Sequence, residues 1–91
     1  KAEEYEKAMK KQAEEFLNES KVLFEKEGIN TTIAVVIKSS AAEGIIDYAK
    51  DNDVDLILIG TKGITGGARF LMGGIANSVI GHAHCPVLAI R

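Results

Sequence analysis

The chain has 91 residues, 46% apolar and 26% charged, with a formal net charge of −2. Those figures fit one small globular domain. They exclude a general polyanion binder, and no apolar run approaches the roughly 18–20 residues that a membrane span needs.

Residues 1–27 come first. Tyr5, Met9, Ala13, Phe16, Leu17, Ser20, Leu23 and Phe24 recur at three- and four-residue steps among charges. That periodicity predicts an amphipathic helix packed on a sheet, and Gly28 is the left-handed residue that ends it. The helical pattern is already running at Lys1, with neither Met nor a cap residue ahead of it. The stretch therefore reads as the inside of a larger protein. Thr31 to Lys38, "TTIAVVIK", is β-branched and predicts a strand buried on both faces. Ser40 with Glu43 matches a capping box. It opens a short helix whose buried stripe is expected at Ile45, Ile46 and Ala49. "VDLILIG" is the strongest strand, apolar from Leu56 to Ile59 and ended by Gly60. A glycine-rich loop follows. A helix then starts near Gly73 and Gly74, with Ile75, Val79 and Ile80 at helical spacing. Gly81, His82 and His84 close it. "CPVLAIR" is the last strand, with Pro86 at its start, where a missing N–H is tolerated.

Strands buried on both faces, alternating with helices, predict an α/β fold. The architecture expected is an open parallel sheet with right-handed crossovers and helices on both faces. No internal repeat, linker or low-complexity tract interrupts residues 1–91, which read as part of one domain. No signal peptide is visible. Cys85 is the single cysteine and cannot form an internal disulfide, so a reducing, cytoplasmic setting is expected.

"GTKGITGGARFLMGGIAN", Gly60 to Asn77, holds the chemistry. Glycine costs more backbone entropy on ordering than any other residue. A cluster of them implies a sharp bend or a close approach to the backbone. All 13 acidic residues lie before residue 56, whereas Lys62, Arg69 and Arg91 lie after it. That positive half suits a small anion. In an open parallel sheet, ligands bind beyond the carboxyl ends of the strands. The helix opening at Gly73–Gly74 turns unpaired N–H groups and the positive end of its dipole toward that edge. The spacing is neither a P-loop nor a G-x-G-x-x-G fingerprint. It is Gly60-x2-Gly63-x9-Gly73-Gly74.

Those intervals resemble the ATP-binding signature of universal stress proteins, G-x2-G-x9-G followed by Ser or Thr. "AAEGIIDYAKDNDVDLILIGTKG" and "GHAHCPVLAIR" resemble the family's lead-in and closing segments. The resemblance implies a Rossmann-like, adenine-nucleotide alpha-hydrolase-like fold and a stress-response or regulatory module that binds ATP, with or without magnesium. It implies that Ile59 lies beside adenosine and that Gly60 and Gly63, with Thr61 between them, line the ribose and phosphate side. Gly73, Gly74, Ile75 and Ala76 would hold the triphosphate through backbone N–H groups. Lys62 and Arg69 are equally readable as phosphate contacts or as loop-solvating charges. The closing strand, Val87 to Arg91, would pair with its twin in a homodimer.

Two departures stand out. Gly74 occupies the place of the family's Ser or Thr. A hydroxyl bond to a charged phosphate is worth about 1.5–3 kcal/mol, so a weakened pocket is expected. The family's first strand, with its adenosine-contacting Asp, and its second strand are missing from this chain. In the resembling fold those strands lie between "TTIAVVIK" and "VDLILIG". Each buried polar group left unpaired costs about 1–3 kcal/mol, against about 5–15 kcal/mol for a whole domain. The stretch is therefore expected not to fold alone in the family arrangement. Either another segment supplies the middle strands, or the strands pair differently.

The alternatives are a dimerising scaffold without nucleotide, and a slow ATPase or self-phosphorylating protein with Thr65 and Ser78 as acceptors. No nucleophile–base pair lies by the loop, and Asp53 and Asp55 flank the opposite end of their strand, so no catalytic residue is assigned. His82, His84 and Cys85 lack the paired spacing of a structural zinc site. They read as a helix end, a turn and a small apolar residue. No metal site, nucleic-acid partner or membrane partner is expected.

Overall fold

A computed structural model describes residues 1–61 and 73–91. Its elements, in chain order, are α1 (Ala2–Lys26), α2 (Ala41–Asp51), β1 (Ile57–Gly60), α3 (Gly74–His82) and β2 (Val87–Ile90). They fall into two compact units, Lys1–Val36 and Ile37–Arg91.

The first unit is built on α1. Its carboxyl end closes as the sequence predicts. Gly28 takes φ +79°, its N–H donates to the Glu25 carbonyl, and the Ile29 N–H donates to that of Phe24. This pair of bonds is the Schellman stop, which satisfies two of the last carbonyls of the helix. Within this unit the apolar stripe of α1 ranges from half-buried at Ala13, Leu17 and Ser20 to exposed. No residue of α1 is buried, and Tyr5 and Phe16 are each 67% exposed.

"TTIAVVIK" does not form the predicted strand: Thr31 to Lys38 have no regular secondary structure. The physical reason lies in the ladder. A strand exists only as half of a hydrogen-bonded pair, and among the described residues no other segment offers this one a backbone hydrogen bond. Val36 and Ile37 are correspondingly exposed.

The second unit carries the sheet. Ser40 caps α2, its hydroxyl accepting the Glu43 N–H at 3.4 Å, as the capping pattern predicts. At the other end, Asp53 adopts φ 51°. The Asp53 N–H donates to the Lys50 carbonyl and the Val54 N–H to that of Ala49. This is a second Schellman stop, with aspartate in the glycine position. β1 and β2 pair in parallel, with Ile57 opposite Val87, Leu58 opposite Leu88, Ile59 opposite Ala89 and Gly60 opposite Ile90. A parallel pair requires a crossover, and α3 lies in it.

The core of this unit is Ala42, Ala49, Ile57 and Val79, with Ile45, Ile46, Val54, Ile59, Ala83, Cys85 and Val87 packed around it. Small residues dominate the contact between α2 and α3. Ala42, Gly44 and Ala49 are the buried positions of α2, and Ala76 and Val79 those of α3. Of the expected stripe of α3, Val79 is fully inside, whereas its two isoleucines are not. Ile75 is 50% exposed and Ile80 is 43% exposed. Two helices that approach closely favour short side chains at the contact, so Ala76 and Val79 are inside.

Strands buried on both faces are likewise not found. Residues alternate along a strand between its two faces. Ile57, Ile59, Val87 and Ala89 share the helix-bearing face, whereas Leu58 and Leu88 are more than half exposed on the other. Within this unit both helices serve one face of the sheet.

Candidate functional site

The site is the carboxyl edge of the β1–β2 pair, where β1 ends and α3 begins. β1 stops at Gly60. The next residue, Thr61, is fastened to β2: its N–H donates to the Ile90 carbonyl at 2.9 Å, and its Oγ1 donates to the same oxygen at 3.3 Å. On its other side, the Thr61 carbonyl oxygen lies 3.5 Å from the place a Cβ on Gly73 would take. The two ends of the glycine-rich loop therefore meet at one point. Lys62, Gly63 and Arg69, three of the sequence-derived candidates, lie outside the described residues, as does Thr65.

Gly73 is the N-cap of α3, in extended conformation at φ −61° and ψ 153°. Its carbonyl accepts the Asn77 N–H at 3.0 Å, the first i to i−4 bond of the helix. The amides of Gly74, Ile75 and Ala76 stand ahead of that bond, in the turn whose donors have no intrahelical partner. Glycine offers no side chain to cap them, and no acidic residue lies in the first turn. The positive end of the helix dipole lies at this turn.

The glycines themselves are informative. Neither Gly60, Gly73 nor Gly74 has a positive φ, so none of the three is required by a left-handed bend. Among the described residues, a Cβ on Gly60 or Gly74 would meet nothing within 4 Å, and one on Gly73 would make only ordinary contact. The protein's own packing does not demand glycine here. At these three positions the described backbone shows no left-handed bend.

The other candidates divide by the part each contributes. Ile59 is half-buried and packs against the core cluster. Ile75 is half-exposed at the mouth of α3, while Ala76 is buried. At the far end of α3, His82 Nδ1 lies 2.9 Å from the Ser78 carbonyl oxygen, one turn back. Cys85 is half-buried against the core. Among the described residues, no three of His, Cys, Asp and Glu come together as a metal site would require. No described helix is long and apolar enough to cross a membrane. The junction through Thr61 and Ile90 could not be foreseen from spacing, because its partners are 29 residues apart and nothing local to either marks the other.

Comparison with known proteins gives the site a context. The Universal stress protein family pattern matches residues 1–91. A universal stress protein of Methanocaldococcus jannaschii is 35% identical over 83 residues, covering 91% of this chain and 48% of that protein. Universal stress protein YxiE of Bacillus subtilis is 28% identical over 83 residues, covering 91% of this chain and 55% of its own length. A putative universal stress protein of Staphylococcus aureus is 32% identical over 81 residues, covering 87% of this chain and 48% of that protein. The chain thus spans about half the length of the relatives it matches.

Proposed function

The chain belongs to the universal stress protein family, and on that premise we propose that it is the adenine-nucleotide-binding half of a stress-response or regulatory module. ATP is the ligand. Its phosphates lie against the amides of Gly74, Ile75 and Ala76, beside Thr61 and the end of β1. Gly60 and Gly63 admit the ribose and phosphates, and Lys62 and Arg69 supply positive charge. The observation that carries this reading is the open amino end of α3: uncapped, free of carboxylates in its first turn, and flanked by glycines that the described packing does not need.

Calorimetric titration of ATP into the full protein tests it, with adenosine and Gly74→Pro as controls. Proline suits the first helical position, and the extended Gly73 ahead of it is the backbone that a following proline prefers. The substitution removes one amide donor and leaves the helix intact. A hydrogen bond to a charged group is worth about 1.5–3 kcal/mol, so affinity should fall about 10- to 150-fold. Adenosine, lacking phosphates, should bind far more weakly than ATP. If the unmodified protein gives no heat with ATP, the nucleotide reading is wrong.

A second reading, a dimerising scaffold without nucleotide, is favoured by the outer edge of β2. Ile57 and Thr61 donate to the Pro86 and Ile90 carbonyls, so the even-numbered residues of β2 face β1. By alternation, Val87 and Ala89 turn their polar groups to the other edge, which has no partner strand among the described residues. Such an edge is a template for a second chain, and the two-fold mate of β2 itself is the proposed partner. A silent titration together with a dimeric sedimentation profile would select this reading.

A further inference from the structure

We draw no further inference here: the strongest candidate, the apolar face of the β1–β2 pair that carries the exposed Leu58, Leu88 and Ile90, supports none, because nothing in the structure shows what covers it.

Discussion

Replacing Gly74 with serine should tighten ATP binding, and the size of the gain can be worked from the structure. Gly74 is the first residue of α3. Among the described residues, a Cβ there would meet nothing within 4 Å, so the new side chain enters open space and displaces nothing. Serine is also a better helix residue than glycine by a few tenths of a kcal/mol, so the fold should not suffer. The hydroxyl gains one hydrogen bond to a phosphate oxygen. Such a bond is worth about 1.5–3 kcal/mol, which is about 10- to 150-fold in the dissociation constant. The assay is calorimetric titration at fixed ionic strength, since salt screens an exposed charged contact. Far-ultraviolet circular dichroism and a thermal melt accompany it. Unchanged or weaker binding by a variant with an undiminished melt would refute the reasoning. It would mean that the amino end of α3 does not face the phosphates.

Four further outcomes follow from the fold. Gly28→Ala should destabilise the protein by about 1–2 kcal/mol in chemical denaturation, the cost of a left-handed L-residue; among the described residues no atom lies within 4 Å of the new Cβ, so the loss is one of backbone strain. Asp53→Gly should do the reverse, raising stability by up to about 1 kcal/mol, because Asp53 already holds φ 51°. Val79→Ala should cost about 1–3 kcal/mol, since Val79 is fully buried, whereas Ile75→Ala, at a half-exposed position, should stay within about 0.5 kcal/mol; equal losses in the two melts would contradict the inward face assigned to α3. Ala89→Pro removes an amide from the outer edge of β2; if that edge pairs two copies as proposed, sedimentation should show the variant less associated than the unmodified protein at equal concentration, and equal association would reject the proposed pairing.

The sequence made some features of this molecule plain and hid others, for physical reasons. Helix ends are local events. Gly28 and Ser40 announced theirs because a left-handed glycine and a capping hydroxyl act on neighbours within a turn. The start of α3 at Gly73–Gly74 was legible for the same reason, and the strands at Ile57 and Val87 from their apolar runs, each of which found a partner in the other. Thr31 to Lys38 misled because its β-branched residues describe only one side of a ladder, and no other described segment supplies the second side. Ile75 and Ile80 misled because apolar bulk marks what could be buried, while of the expected stripe only Val79 packs with Ala42 and Ala49 of α2. At the site, the glycine intervals were readable, and α3 opens at Gly73–Gly74 where they end. The fastening of Thr61 to Ile90 was not, since a hydrogen bond between distant segments leaves no trace in the spacing of either.

The parallel register of β1 and β2 also dictates how this unit assembles. The Thr61–Ile90 bond spans 29 residues, and no tight hairpin can seed such a pairing. Loop closure must come first and is repaid only when the ladder forms. Helices form in about a microsecond, so α3 can lie against α2 through Ala76 and Val79 before the two strands find each other. The short strands are then the last pieces to join, and the edge where β1 and β2 end is finished only when the whole unit has condensed.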